Sequence, residues 1–539
     1  MRSVLCLFLI LFLLSSCGSI KNLKKETARF QQEFDSTSVK LESEDQLSRS
    51  PYGNLQLRLI GNDFELGYKK GLITKPLLQH QEDVFFQKVA EFVPKPRRQR
   101  LLMKFLKWYH RDILQDIPLN YRKEIYGLSR HAGNKYDYVG SKYERSLLLH
   151  GAHDIGHAMQ DLMLVGCSSV ALWGSKTEDG KLLIGRNFDF YVNDAFAENK
   201  IIEFIAPDEG YKYAAVSWPG MIGVVSGMNE KGLTITLNAG KSSIPLRGKT
   251  PISIVARDIL QHAQNIDEAI QIAKGFEVFI SESLLIGSAE DNRAVNIEIS
   301  PKRFDVFEVN NDILFCTNHF QSSSYTKDKR NKAHIFSSHS QYRLDKLEQS
   351  FSKKGTYQPG DIAKVLRDAT GLNNEDIGYG NEKALNQLLA HHAVIFKPDE
   401  LLMWVSNNPY QLGTFEAYDL RKVFQNEKPV QAIKELEITA DPFLNTKAFA
   451  DFQQFKGLLP KIERATKAKQ EISDSDLLLL EKSNPNLWLT YQVLGDYHFK
   501  HQNWEKASHY YEIALSKEVS SEKAKEYLQK QLLKARKKL

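Results

Sequence analysis

The chain has 539 residues, of which 42% are hydrophobic, 26% charged and 11% aromatic, with 31 Gly and 17 Pro. That composition excludes collagen-like, wholly disordered and multi-span membrane classes, and the length calls for more than one structural unit. The net charge of +6 is the small difference between 72 basic and 66 acidic residues, too slight and too evenly spread to mark a nucleic-acid partner.

Residues 3–14 form a twelve-residue, mostly apolar run behind Met1 and Arg2. This is the form of a secretory signal, and too short for a permanent membrane span. Leu14-Ser15-Ser16-Cys17-Gly18 follows and resembles a bacterial lipobox, so 1–16 reads as a signal peptide and Cys17 as the lipidated residue. Gly18 after the cysteine, in place of an acidic residue, points to the outer membrane of a Gram-negative cell, facing the periplasm. Residues 17–53 are polar and show no clear apolar stripe, which predicts a tether.

From 54 to 166 the pattern predicts one short strand, Leu55 to Ile60, and then helices, among them Glu82 to Phe92, Arg98 to Tyr109 and Tyr121 to Gly133. At Cys167 the texture changes to short β-rich runs: Cys167 to Trp173, Leu182 to Phe190, Ile201 to Ala206, Tyr213 to Ser217, Gly223 to Ser226 and Leu233 to Leu237. Helices are predicted at Pro251 to Ala263 and Ile266 to Lys274. Strands resume at Ser283 to Ile286, Ala294 to Ile299, Asp305 to Val309 and Ile313 to Thr317. After a helix over Gln341 to Ser352, strands return at Ala393 to Lys397 and Leu402 to Val405. Runs of strands broken by paired helices predict an α+β layered core over 167–435. Residues 436–539 read as helical, with Leu494, Gly495, Ala507, Tyr511 and Ala514 at the spacing of a single tetratricopeptide-like (TPR-like) repeat. One copy cannot close a solenoid, so this extension reads as an accessory element open to a protein partner.

Only four cysteines occur, Cys6, Cys17, Cys167 and Cys316, too few for a disulfide scaffold. Cys6 leaves with the signal, and Cys316 reads as a small buried residue. Cys167 opens the first strand of the core, after Gly166. The polar turn Lys176 to Lys181, with its Asp179-Gly180 pair, predicts a hairpin that sets Cys167 opposite about Phe190. Arg186 and Asp189 then return to the cysteine, where a guanidinium favours thiolate and a carboxylate can hold an amine.

These residues belong to a wider pattern: Gly61, Gly67 and Gly71; Tyr121 to Gly127; Gly166-Cys167-Ser168-Ser169; Arg186 and Asp189; Gly227 to Leu233; Leu237-Asn238-Ala239-Gly240; Thr317-Asn318-His319; and Gln341 to Leu344. In this order, from about Gly61 to about Leu420, the chain resembles the N-terminal-nucleophile (Ntn) hydrolases. It is most similar to the peptidase C45 group typified by acyl-coenzyme A:6-aminopenicillanate acyltransferase, with the choloylglycine hydrolases as distant kin. The resemblance implies a four-layer αββα sandwich and self-cleavage between Gly166 and Cys167. The α-amine so freed titrates near ~7.7–8.0 and can act as base for its own thiol. It also implies that Asn238 stabilises an oxyanion, that Arg186 and Asp189 flank the nucleophile, and that Asn318 and Arg343 support amine and thiol. Asn229 and Gly232 read as turn residues. The implied reaction is cleavage or transfer of an acyl group at a linear amide in a small N-acylated substrate. Acyl-coenzyme A is an unsuitable donor outside the cytoplasm, which favours hydrolysis.

No cofactor is implied. His150, His153 and His157 share a helical face at spacings open to a metal, but they precede the scissile bond and the chemistry needs none, so no metal is expected. Two other readings stay open: a lipid-anchored scaffold with a vestigial Ntn domain and partner-binding C-terminal helices, and a self-processing peptidase without a further substrate.

Overall fold

A computed structural model of the chain describes residues 21–34, 38–151, 164–191, 194–243, 247–352, 355–389, 391–425 and 430–539. The expected signal peptide, Cys17, His153 and His157 lie outside the described residues.

Two sheets form the core. The larger has nine strands in the order β1-β2-β7-β8-β9-β10-β11-β12-β13, and the smaller six in the order β14-β4-β5-β15-β16-β17. In the first, β1 is Gln46–Arg49, β2 Leu55–Gly61, β7 Ile201–Pro207, β8 Tyr213–Ser217, β9 Ser226–Asn229, β10 Leu233–Ala239, β11 Glu282–Ser288, β12 Arg293–Ser300 and β13 Arg303–Phe307. In the second, β4 is Ser168–Leu172, β5 Leu183–Phe188, β14 Ile313–Cys316, β15 His392–Lys397, β16 Leu402–Ser406 and β17 Phe415–Asp419. A two-stranded ribbon pairs β3, Leu164–Val165, with β6, Phe190–Tyr191.

The layering follows from the period of two along each strand. In β4, Val170 and Leu172 join Ile362 and Leu366 of helix Pro359–Leu366 in one apolar cluster. Ala171 and Trp173 point the other way, into a second cluster with Phe204, Val216 and Leu285 of the nine-stranded sheet. On that sheet's far side Ile235, Leu237, Leu284 and Ile286 pack on Ile259 and Leu260 of helix Ile252–His262. Three apolar seams therefore separate four layers, helices, sheet, sheet and helices, which is the expected αββα sandwich. Each fully buried large apolar side chain contributes roughly 1.5–3 kcal/mol, so reversing the parity of any inner strand would unseat two seams at once.

The segment before Cys167 is built into this sandwich. β2 lies parallel to β7 from Leu55 opposite Ile201 to Gly61 opposite Pro207. Lys70 and Glu203 form an ion pair at 2.6 Å, and both are buried. The glycine-spaced motif has a packing cause. A Cβ on Gly67 would lie 1.8 Å from the Glu124 carbonyl oxygen, and one on Gly127 would lie 2.4 Å from that of Phe64. Helices Asp63–Ile73 and Leu119–Ser129 thus cross backbone to backbone.

Where a polar tether is expected, the structure has ordered elements. Residues 21–33 are helical, and Phe30 is fully buried, 5.1 Å from the ring of Tyr126 and 6.0 Å from that of Tyr143. Leu23, Phe30 and Phe34 lie on one side of this helix, a stripe of only three residues hidden among Lys, Glu and Gln. β1 follows as the outer strand next to β2.

Helices Lys447–Ala468, Asp474–Ser483, Trp488–Lys500, Trp504–Ser516 and Glu522–Arg536 build the C-terminal region. They share an apolar core that also takes in Leu388 and Leu412 from the sandwich. No helix among the described residues is long and apolar enough to cross a membrane.

Candidate active site

β3 and β4 continue one antiparallel register against β5 and β6. Leu164 faces Tyr191 and Val165 faces Phe190; farther along, Ser168 faces Asn187 and Ser169 faces Arg186. The two residues between, Gly166 and Cys167, therefore stand opposite Asp189 and Phe188, and the Gly166 N–H donates to the Asp189 carbonyl at 3.0 Å. The expected pairing of Cys167 with about Phe190 is two residues off. The chain turns one residue earlier than expected, through the short 3-10 turn Gly174–Lys176, and Thr177 closes it with a hydroxyl bond to the Lys181 carbonyl, 2.8 Å. A slip of two keeps every side chain on its face, where a slip of one would have reversed them all. Arg186 and Cys167 accordingly meet between the sheets.

The Cys167 side chain is 1% exposed and its Sγ lies 3.6 Å from Arg186 Nη2. Arg186 is itself fully buried. It donates to the Val225 carbonyl at 2.8 Å, and also to Ser226 Oγ and the Leu237 carbonyl, while its guanidinium sits 4.4 Å over the Phe188 ring. Three acceptors from β9, β10 and the residue before β9 thus fix the plane of the guanidinium beside the thiol. Burial pushes the Cys167 thiol above its ordinary value, with Arg186 opposing the shift. The expected thiolate is therefore disfavoured, because desolvation of a sulfur anion outweighs the pull of the guanidinium groups of Arg186 and Arg343.

Asp189 is fully buried, and neither carboxylate oxygen accepts a hydrogen bond from the described residues. Burial raises its pKa to about 7, against the pull of Arg343, the Gln411 carboxamide and Arg186. It can therefore hold or release a proton near neutrality.

Arg343, on helix Ser340–Ser350, reaches under Cys167. It donates to the Cys167 carbonyl, to Ser168 Oγ at 2.9 Å and to Asn318 Oδ1 at 2.6 Å, while its Nε donates to His339 Nδ1 at 3.2 Å. Asn318 is held in turn by Ser340 Oγ, which accepts its N–H at 2.8 Å, and its Nδ2 donates to the Ala239 carbonyl at 3.1 Å. Asn238 bridges the sheets: Oδ1 accepts from Ser169 Oγ at 2.9 Å, and one hydrogen on Nδ2 is donated to the Cys316 carbonyl at 3.0 Å. All six sequence-selected residues, Cys167, Arg186, Asp189, Asn238, Asn318 and Arg343, gather in one buried cluster with Gly166 at its edge.

Other residues in the cluster escaped the sequence. Ser226, which receives Arg186, lies 2.9 Å from His392 Nε2, and His392 Nδ1 lies 2.9 Å from His391 Nδ1. Burial lowers both imidazoles, His391 to about 3, so they are neutral hydrogen-bonding groups. Glu282, buried at the start of β11, is within electrostatic reach of Cys167 and Arg186. Only Ser281, Ser283 and apolar residues flank it, so no local pattern marks it. Phe188, Phe190 and Trp218 stack with centroids 5.7–6.4 Å apart, in the same apolar cluster as Cys167.

Other expectations resolve locally. Asn229 caps a turn, its Oδ1 accepting from Lys231 N and Leu233 N at 3.0 Å each. Cys316 is fully buried, and burial drives its thiol pKa far up. His150 has both ring nitrogens engaged, Nδ1 at 2.7 Å from the Ser146 carbonyl and Nε2 accepting from Ile222 N at 3.1 Å. It is spoken for as a packing residue.

Residues 175–405 match the family model described as acyl-coenzyme A:6-aminopenicillanic acid acyl-transferase. An uncharacterized protein of Archaeoglobus fulgidus is 25% identical over 278 residues, covering 47% of this chain and 45% of that protein. Protein dcd1B of Dictyostelium discoideum is 24% identical over 271 residues, 47% of this chain and 51% of its own. An N-acylethanolamine-hydrolyzing acid amidase of Caenorhabditis elegans is 20% identical over 221 residues, 39% of this chain and 58% of its own. The chain thus spans about half the length of these relatives. Among solved structures, a Caenorhabditis elegans N-acylethanolamine-hydrolyzing acid amidase ortholog aligns at 18% identity over 43% of this chain and 93% of its own, TM-score 0.32. A variant of conjugated bile acid hydrolase from Clostridium perfringens aligns at 13% identity over 50% and 96%, TM-score 0.33.

Proposed function

We propose that this chain, whose residues 175–405 match the acyl-coenzyme A:6-aminopenicillanic acid acyl-transferase family model, is an Ntn hydrolase and a self-processing cysteine amidohydrolase. The observation that carries the proposal is the Gly166–Cys167 junction. It lies in unbroken register with Phe188 and Asp189, with Arg186 3.6 Å from the thiol and an unpaired carboxylate of pKa about 7 across the ladder.

The first reaction is self-cleavage. The Cys167 thiol adds to the Gly166 carbonyl, its proton passing to a base for which Asp189 is the candidate. The C–N bond breaks, leaving Gly166 as a thioester on Sγ and the Cys167 nitrogen as an amine. Water hydrolyses the thioester, releasing the Gly166 carboxylate and the free thiol. The new α-amine, beside Asp189, is the base of the mature enzyme. It takes the thiol proton as sulfur attacks a substrate amide and returns it to the leaving amine, and water then resolves the acyl thioester. The second hydrogen of Asn238 Nδ2 is assigned to the oxyanion, and Arg343 and Asn318 hold the Cys167 backbone in place. The Phe188–Phe190–Trp218 stack suits an apolar acyl group. We assign hydrolysis in preference to transfer, and a small N-acylated amide as substrate. Attachment through a lipid on Cys17, at the periplasmic face of the outer membrane, completes the proposal and rests on the lipobox.

A denaturing gel tests it. Wild-type protein should run as two chains with a new N-terminus at Cys167, and Cys167→Ala as one. A single intact chain in both would remove the enzyme reading and leave the lipid-anchored scaffold. Release of amine from a panel of N-acyl amides then tests hydrolysis, and a processed enzyme that releases none would point to the peptidase-only reading.

A further inference from the structure

The side chain that a Cβ on Gly166 would meet first is one the proposed chemistry does not use. Gln387 is 1% exposed, and a Cβ placed on Gly166 would lie 2.1 Å from its Nε2 and 2.7 Å from its Cδ and Oε1. The carboxamide therefore rests on the Gly166 Cα, filling the space any larger residue there would need. Gln387 Nε2 donates to the Glu382 carbonyl at 3.0 Å, so the side chain is tied to its own loop and not to the sheet below.

That loop, from Asp376 to Leu388, is anchored by the C-terminal helices. Asn484, which ends helix Asp474–Ser483, grips the Tyr379 backbone with both ends of its amide: Oδ1 accepts the Tyr379 N–H at 3.1 Å and Nδ2 donates to the Tyr379 carbonyl at 2.7 Å. Asn486 Nδ2 donates to Asp376 Oδ2 at 2.7 Å. Asn381 Nδ2 donates to the Glu518 carbonyl at 2.8 Å, and Lys383 forms an ion pair with the Glu518 carboxylate. The Tyr379 ring packs 4.7 Å from Phe443, and Leu388, next to Gln387, is buried in the apolar core of the helical region. On the other side Asn386 is bound to the sandwich, its N–H to the Asp368 carbonyl at 2.9 Å and its Nδ2 to the Tyr410 carbonyl at 3.1 Å.

We infer that Gln387 is a positioning residue for the self-cleavage, and that the C-terminal helices serve that step by holding the Asp376–Leu388 loop against the scissile junction. The inference rests on the self-cleavage reading of the Gly166–Cys167 bond. Its physical basis is geometric. Gly166 has the widest backbone freedom of any residue type, yet thiol attack on its carbonyl demands one orientation. A 1 Å misplacement of reacting groups can cost about a hundredfold in rate. A side chain packed on the Gly166 Cα, at the end of a loop clamped from outside the sandwich, supplies that restraint without touching the thiol.

The test follows appearance of the two chains on a denaturing gel after cell-free synthesis of the full chain. Gln387→Ala should slow cleavage by about tenfold to a hundredfold. Gly166→Ala should slow it at least as much, since the new Cβ meets Gln387. The double variant Gly166→Ala/Gln387→Ala should cleave faster than Gly166→Ala alone, because the carboxamide in the way is gone. Asn484→Ala should slow cleavage with the junction itself intact. Each variant is also made in a Cys167→Ala background and melted, so that a slow but folded precursor is separated from one that fails to fold. Wild-type rates in folded Gln387→Ala and Asn484→Ala, or no relief in the double variant, would overturn the inference while leaving self-cleavage standing. A wild-type chain that stays whole, like Cys167→Ala, would overturn both.

Discussion

Arg186 Nη2 stands 3.6 Å from Cys167 Sγ and also donates to the Leu237 carbonyl, while Nη1 of the same guanidinium is committed to Val225 and Ser226. The cation beside the thiol is thus set by the nine-stranded sheet, although Arg186 lies on a strand of the six-stranded one and Cys167 directly precedes another. Removing it has two separable effects. Arg186→Ala leaves buried acceptors unpaired, each costing about 1–3 kcal/mol, and withdraws the charge that opposes desolvation of the thiol. Urea unfolding in a Cys167→Ala background should show a loss of several kcal/mol for Arg186→Ala. Arg186→Lys keeps the charge but not the planar fork, and should recover less than half of that loss. Equal stability of Arg186→Ala and the parent would mean that the fork bonds contribute nothing.

Asp189 makes the stability of the uncut chain depend on pH. Its carboxyl sits at about 7 when folded, against an ordinary 3.8, because burial disfavours the anion. A raised folded value means that the carboxyl supports folding fully below about pH 4 and that this support is lost as pH rises through about 7. Each unit of difference corresponds to about 1.4 kcal/mol. In the Cys167→Ala precursor, Asp189→Asn should flatten the fall in stability between pH 4 and 7 and raise stability at pH 8. Chemical denaturation across this range decides the matter, and parallel curves for the two proteins would refute the assignment.

Asn238 is the residue for which position and chemistry can be told apart. One amide hydrogen is donated to the Cys316 carbonyl and the oxygen receives Ser169, so Asn238→Ala carries a stability cost of about 1–3 kcal/mol from the unpaired carbonyl. The oxyanion role predicts in addition a fall in kcat of about 10²–10³ on any N-acyl amide the enzyme turns over, with KM little changed. Ser169→Ala removes the hydroxyl partner only, and should lower stability with a much smaller effect on kcat. If the two variants lose the same kcat, Asn238 is a structural bridge and the oxyanion donor lies elsewhere.

What could be read from the sequence and what could not divide along physical lines. The inner strands were legible as short β-rich runs, but their parity was not, since Val170, Ala171, Leu172 and Trp173 are all apolar and only the packing assigns their faces. The glycines at 67 and 127 were legible as a motif, but only the crossing helices explain them. Arg186 and Asp189 could be brought to Cys167 because one hairpin connects them. The register was missed by two residues because a 3-10 turn is not encoded by an Asp-Gly pair alone. Gln387, Ser226, Glu282 and His392 were invisible because each reaches the junction by tertiary packing from a distant segment. The helix at 21–33 was missed because its stripe of Leu23, Phe30 and Phe34 is thin, and Phe30 is buried through contacts with Tyr126 and Tyr143 from distant segments.

That helix changes what a lipid on Cys17 would do. A long polar tether would let the sandwich drift from the membrane, but the docked helix already includes Lys21, four residues after Cys17. Four extended residues reach at most about 14 Å, so an acylated Cys17 would keep this face of the protein close to the bilayer. The docking depends on Phe30, fully buried among Phe64, Tyr126 and Tyr143, and on Glu26, which accepts from the Tyr143 hydroxyl at 2.8 Å and pairs with Arg122. Phe30→Ala removes a side chain whose loss from a core costs about 3–5 kcal/mol, more than a single peripheral helix is expected to have in reserve. In Phe30→Ala, limited trypsin digestion should cut at Lys24, Lys25 or Arg29 at least tenfold faster than in wild type, with the sandwich still intact. On membranes, the same variant should release the whole protein from the lipidated stump at those sites. Cleavage there at equal rates in both proteins would show that the helix is undocked to begin with, and the long-tether reading would return.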